Sequence, residues 1–234
     1  VTVFDHEGAM DLTTVKPEDV IRAKKSSDDI EPLEEYRTRR ETVWCQIMRV
    51  RQELRYLEAM HEFDYNYDKK GFFDHVLVML IESVAMGLYR LTEDNNGSPN
   101  FANLRVWKNQ LVPLTKEDLR KDVGKVLADA RISKRINDVL DHIRDVRNDV
   151  IGHLSDKALV EAGKDGVYGV VMGFKVAEDL SLDFFQSSVE EIEEMFKVLC
   201  FGEQYHPERS RYVGLEADEI DLYRYLEKLF GEEE

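Results

Sequence analysis

Apolar residues recur at helical spacing over most of this chain. Val43, Ile47, Val50, Leu54 and Leu57 alternate steps of four and three, with Arg and Glu between them. That is the stripe of an amphipathic helix running from Leu33 to about Phe63. The stretch "DYNYDKKG" (64–71) closes it with turn chemistry, and residues 72–92 are apolar nearly all round, which places a second helix inside a bundle. "TEDNNGSPN" (92–100) combines Asn-Gly with Ser-Pro and reads as a loop. Residues 101–111 predict a short helix ending near Pro113. "TKED" (115–118) predicts a helix start, with Thr115 as N-cap and Asp118 at the third helical position, for a helix to about Ile132. Ser133 marks an expected bend before a helix over roughly 134–151. A glycine-rich stretch, 163–176, departs from the helical pattern and suggests a hairpin or an irregular insertion. Phe185, Val189, Ile192, Phe196 and Leu199 then restore it over 181–202, and Ile220, Tyr223, Leu226 and Phe230 outline a last helix near 216–231. The sum is an all-α antiparallel helical bundle of four to six main helices, without internal repeats.

Composition supports that outline. The 234 residues are 43% hydrophobic, and 13 Gly with 5 Pro leave few helix breakers. The organisation expected is a polar arm over 1–32, a helical bundle over 33–202 and an acidic helical extension over 203–234. Cys45 and Cys200 sit far apart within apolar helical patterns, as small buried hydrophobes rather than a disulfide, and this points to a reducing, cytoplasmic setting. Asp74, His75, Glu82 and Arg90 make the 72–91 run too costly to place in lipid, and no basic-then-apolar leader opens the chain, so no membrane association is expected.

Charge complicates any polyanion-binding role. The net charge is −16, which opposes non-specific association with nucleic acid. Its distribution is uneven. Residues 203–234 carry ten acids against four bases, whereas residues 116–147 carry nine bases against seven acids.

The segment of most chemical interest ends that basic stretch. Ile136, Leu140, Ile143, position 147 and Val150 form one helical face, and its fourth member is Arg147. A guanidinium on an apolar stripe needs a carboxylate partner, an exit to water, or an anion bound from outside. Asn148 follows directly, and Gly152 weakens the helix just before His153. Six residues of ideal helix would set Arg147 and His153 about 120° apart, so a kink at Gly152 or a symmetry mate is needed to bring them together. Arg offers phosphate a permanent two-pronged donor, and His titrates near neutrality.

Arg147-x5-His153 near the end of a bundle helix resembles the Arg-x(4–6)-His signature of HEPN domains. The ordered segments "FFDHVLVMLIESVAMGLYRLTED", "LRVWKNQL" and "RNDVIGHLSDK" further resemble the AbiU2-type branch of that superfamily, across about residues 61–201. The resemblance implies a bundle that forms a homodimer and cleaves RNA without metal or cofactor, in prokaryotic defence or toxin–antitoxin stress responses, with an antitoxin protein as a further partner. Carried onto this chain, His153 would take the proton of a ribose 2′-OH or protonate the leaving 5′-oxygen, Arg147 would hold the phosphate and offset the charge on its oxygens, and Asn148 would position the backbone or the phosphate. Some toxin members carry Tyr two residues after the His, where a partner enzyme modifies it; this chain has Ser155. The reading from a different class is a catalytically inactive module that binds nucleotide, RNA or protein.

Other clusters are weaker. His142 and Arg144 read as a helix-surface pair with an accessory phosphate contact as the alternative. His61, Glu62, Asp64, Asp68 and His75 fit no metal-ligand spacing. The aromatics Phe63, Tyr65, Tyr67, Phe72 and Phe73 read as packing at a helix corner, and "GVYGVVMG" lacks the Lys-Ser/Thr ending of a phosphate loop.

Overall fold

The stripe of Val43, Ile47, Val50, Leu54 and Leu57 lies on one long helix, and all five residues are buried. In the structure, a computed structural model, the described residues are 10, 12, 15–24, 31–62, 70–93, 102–146, 182–201 and 224. They contain seven helices: α1 (Pro17–Val20), α2 (Pro32–Glu62), α3 (Lys70–Thr92), α4 (Leu104–Leu114), α5 (Arg120–Asp129), α6 (Ile132–Val146) and α7 (Leu182–Leu199). Among the described residues no strand exceeds an isolated bridge, and the fold is an all-α helical bundle. The expected insertion at 163–176 lies outside the described residues, as does the last helix near 216–231 except for Arg224.

The chain divides into two compact units. The first comprises Val1–Ile47, Arg90–Leu140 and Glu190–His206. Its core is aromatic: the Tyr36 ring stacks on Phe201 with centroids 5.3 Å apart, and Phe196 lies 5.2 Å from Trp44 and 5.3 Å from Trp107. Such ring pairs add directional attraction to area burial. The Tyr36 hydroxyl donates to the Leu199 carbonyl at 3.4 Å, and burial holds its pKa well above the ordinary phenol value. The expected aromatic corner at 63–73 lies outside the described side chains; this core uses other rings.

Asn103 fixes the entry to α4. Its Oδ1 accepts from the backbone N–H groups of Arg105 (2.9 Å) and Val106 (3.1 Å), satisfying two donors that a helix start leaves open. Its Nδ2 donates to the carbonyls of Arg90 (3.1 Å) and Glu93 (2.9 Å). One buried amide thus caps α4 and ties down the end of α3.

The expected N-cap at Thr115 is corrected. Thr115 is the C-cap of α4, fully buried, with its Oγ1 donating to the Leu111 carbonyl at 2.9 Å. The reason is a tertiary bond absent from local pattern: Thr115 pairs antiparallel with Ile21, flanked by Arg22 N–H to Leu114 O (2.8 Å) and Lys116 N–H to Val20 O (2.9 Å). Residues 116–119 form a turn, and α5 starts at Arg120 behind Leu119, without a side-chain cap. The following break falls at Arg131, whose φ of 52° lies in the left-handed region, so α6 begins at Ile132, ahead of the expected bend at Ser133. The segment around α1 is packed on this side too: Val15, Val20 and Ile21 are buried, and Arg37 pairs with Glu18.

The second unit comprises Met48–Tyr89, Asp141–Val189 and Pro207–Glu234. It buries Val50, Leu54, Leu57 and Met60 of α2, Ile81, Val84, Ala85 and Leu88 of α3, Ile143 of α6, and Phe185 and Val189 of α7. The α3 residues follow a three–one–three spacing along one face, while Met79 is 55% exposed. The described part of α3 is therefore one-sided rather than buried all round. Gln186 Nε2 donates to Glu58 Oε1 at 2.7 Å, joining α7 to α2.

Candidate functional site

Helix α6 carries the chain to the Arg-Asn…His segment, and its described part has the predicted apolar face. Ile136, Leu140 and Ile143 are each 1% exposed or less. Ser133, Lys134, Asn137, Asp138 and Asp141 point to solvent. This separation of faces is what buries one side of a helix while its polar side stays hydrated. Described side chains on α6 end at Arg144 and its backbone at Val146; Arg147, Asn148 and His153 lie outside the described residues.

The neighbours of that segment are engaged locally. Arg144 Nη1 lies 3.0 Å from Asp141 Oδ1, one helical turn back, with both side chains largely in solvent. An exposed pair of this kind contributes little to stability. The His142 ring stacks against Phe184 of α7 at 5.5 Å between centroids and 28° between planes. The two residues expected as a surface pair are thus both exposed, but each has its own partner.

The basic stretch 116–147 sorts into two groups. In one, the cations hold the fold. Lys116 Nζ donates to the carbonyls of Glu18 (3.2 Å) and Asp19 (2.6 Å) at the end of α1. Arg120 donates to Thr115 O at 3.1 Å and Pro113 O at 3.3 Å, satisfying carbonyls at the end of α4. Arg135 forms a two-pronged pair with Glu191 of α7, in which Nη2 reaches Oε2 at 3.0 Å. The hydrogen bond from Arg135 holds the Glu191 carboxyl below its ordinary pKa, and the same bond raises that of Arg135. In the other group, Lys121, Lys125, Arg131 and Lys134 are exposed.

Among the described residues no cluster of His, Cys, Asp and Glu could hold a metal ion. The side chains of His61, Glu62, Asp64, Asp68 and His75, and the stretch "GVYGVVMG", lie outside the described set. Cys45 and Cys200 are both free thiols. Cys200 is buried, which pushes its pKa up and keeps it a thiol. Cys45 is half-buried, with its Sγ 3.8 Å from Glu41 Oε1. No described helix is long and apolar enough to cross a membrane.

No curated protein and no solved structure matches the chain significantly. A family model does: the HEPN domain described as AbiU2 matches residues 35–199. That span runs from the first turn of α2 to the last residue of α7 and encloses positions 147–153. With more than half its length matched and an all-α bundle over the described part of that span, the chain belongs to the AbiU2 family of HEPN domains.

Proposed function

We propose that this HEPN protein is a metal-independent endoribonuclease of prokaryotic defence against infection or stress, with Arg147, Asn148 and His153 as its working residues. The observation that carries the reading is that the family match encloses an intact Arg147-x5-His153 pair. The amphipathic face of α6 supports it. Position 147 is four residues beyond the buried Ile143, so a helix continued ideally would set it about 40° from that residue, where a guanidinium would need a carboxylate, an exit to water or a bound anion such as a phosphate.

The chemistry these residues can perform is transfer of a phosphodiester to its own ribose. His153 in its neutral form accepts the proton of the 2′-OH as that oxygen attacks the adjacent phosphorus. The bond to the 5′-oxygen breaks, and that oxygen takes a proton from an imidazolium. The products are a 2′,3′-cyclic phosphate and a 5′-hydroxyl. Arg147 binds two phosphate oxygens and offsets the charge that gathers on them in the transition state. Asn148 orients the phosphate. A homodimer in which two such segments meet would supply the imidazole base and the imidazolium acid from different protomers, and would let Arg147 work with the partner's His153, which answers the 120° separation within one helix. An antitoxin protein that covers this segment would silence it.

A second reading, an inactive module that binds nucleotide, RNA or protein, is motivated by the net charge of −16, which is adverse for a nuclease that must associate freely with RNA. One experiment separates them. Purified protein is incubated with single-stranded RNA in excess EDTA, and the products are examined for cyclic phosphate ends. Cleavage by the parent that is lost in both Arg147→Ala and His153→Ala, each with parental circular dichroism, supports the enzyme. Equal cleavage by all three proteins, or none by the parent, removes it.

A further inference from the structure

An open groove of about 510 Å³ lies within the first unit, formed by α4, α5 and the start of α6. Val112, Gly124, Leu127 and Ala128 give it an apolar floor. Lys108, Arg131 and Lys134 also line it, and among the described residues no carboxylate does. In a chain of net charge −16, three cations around one concavity without an acid is a local reversal of sign. A concave wall of low polarizability concentrates that positive potential.

The three cations also lack the carbonyl and carboxylate partners that hold Lys116, Arg120 and Arg135. Lys108 Nζ donates one hydrogen bond, to Ser133 Oγ at 2.6 Å, which holds the ammonium beside the start of α6 with two donors left over. Arg131 and Lys134 are exposed, and neither is paired with a carboxylate among the described residues. Arg131 occupies left-handed backbone at φ 52° and accepts the Arg135 N–H at its carbonyl (3.0 Å), so it stands directly before the first turn of α6. An arginine side chain has no acceptor with which to cap that turn, and the turn's outward N–H groups add to the positive end of the helix. Left-handed backbone favours Gly or Asn over Arg on steric grounds. Packing gives no reason for Gly124 either: a Cβ there would meet nothing within 4 Å. Glycine inside a helix is less stable than alanine, and here its missing side chain leaves the groove floor open.

We infer that this groove binds phosphate groups, carried on a single-stranded RNA or on a free nucleotide, with the base or ribose over the apolar floor. Three cations lining one open groove offer more donors than a single small anion can use, which favours a polyphosphate or a strand. The residues that line it are distinct from Arg147, Asn148 and His153, and neither assignment depends on the other.

The test uses the full chain and a short fluorescent oligoribonucleotide with 2′-O-methyl riboses, which cannot be cleaved through a 2′-OH. Anisotropy measures its binding, and calorimetry measures ATP and inorganic pyrophosphate. The double variant R131Q/K134Q is compared with K197Q, which removes a cation that Glu194 already pairs, and with G124W, which fills the trough at constant charge. The expected result is at least about tenfold weaker binding for the double variant and for G124W, with K197Q near parental. For the oligonucleotide, the slope of log affinity against log salt should also fall by about 1.4 in the double variant, about 0.7 for each phosphate that is no longer neutralised. Binding of the strand but not of ATP or pyrophosphate identifies the source as RNA; binding of ATP and pyrophosphate alone identifies a nucleotide. Failure of the parent to bind all three probes overturns the inference. So does equal binding by parent and double variant, or an equal loss in K197Q. The same comparison repeated in an R147A background should show the same relative loss for R131Q/K134Q, so failure of the nuclease reading leaves this result standing.

Discussion

Replacing Asn103 should show how one buried amide holds two helices. The side chain is fully buried and makes four hydrogen bonds, two to the N–H groups at the start of α4 and two to the carbonyls of Arg90 and Glu93. Asn103→Ala removes the cap, at about 1 kcal/mol. It also strips the amide donor from two carbonyls, at about 1 kcal/mol each where water cannot replace it. The expected loss is about 3 kcal/mol, or roughly 6–12 °C in Tm for a chain of this size. Asn103→Ser separates the two halves: its hydroxyl can cap α4 but is too short to bridge both carbonyls, so it should lose about 2 kcal/mol. Urea unfolding followed by circular dichroism measures both, and an unchanged m-value would place the effect in the native state. A loss below about 1 kcal/mol for Asn103→Ala would refute the reasoning, since it would mean that the four bonds are replaced by water. Equal losses for Ala and Ser would remove the capping half alone.

Gly124→Ala should stabilise the protein by about 0.5–1 kcal/mol, because α5 gains helix propensity and the new methyl meets nothing within 4 Å; a lower Tm would mean that the floor is filled in solution. The Arg135–Glu191 pair should show a coupling energy below about 1 kcal/mol in a double-mutant cycle, since Glu191 is 39% exposed and solvent screens it. Its pH dependence has a definite sign. Glu191 is held below its ordinary pKa in the folded state, so the contribution is complete above the unfolded value of about 4.3 and is lost as pH falls through the folded value. A coupling that grows in acid would contradict that origin.

The long helices were legible because each buries a stripe that its own spacing announces. Val43 to Leu57 and Phe185 to Leu199 are buried at every predicted position, and the bounds of α2, α3 and α7 fall close to those expected. The region from 103 to 133 was harder, for a physical reason. Thr115 carries the side chain of an N-cap, yet its position is decided by pairing with Ile21, far away in sequence. No local pattern encodes that pairing, and residues 15–24 themselves lack a period that would draw attention to them. The break at Arg131 was missed because a positive φ usually shows itself as Gly or Asn, and here the residue is Arg. Asn103 does carry a local signal: an Asn directly before a Leu-Arg-Val-Trp helix is a favoured cap. The groove required the fold, since Lys108 and Arg131 are brought together from α4 and the α5–α6 junction. Its only trace in sequence was the basic excess of 116–147.

That excess also bears on how an acidic protein could hold an anion. A formal charge of −16 is a sum over the whole chain, while a bound phosphate senses charges within about a Debye length, roughly 8 Å at physiological ionic strength. Most of the bases in 116–147 that face acceptors are committed to carbonyls and to Glu191, and so do not attract ligands from solution. Arg131 and Lys134 of the groove are not so committed, as Lys121 and Lys125 outside it are not. Long-range repulsion and short-range attraction then act on different steps. Repulsion slows encounter and is relieved by salt, whereas phosphate contacts hold the complex and are weakened by salt. An acidic protein with a basic groove should therefore gain in association rate and in dissociation rate together as salt rises. A uniformly basic surface would instead lose association rate.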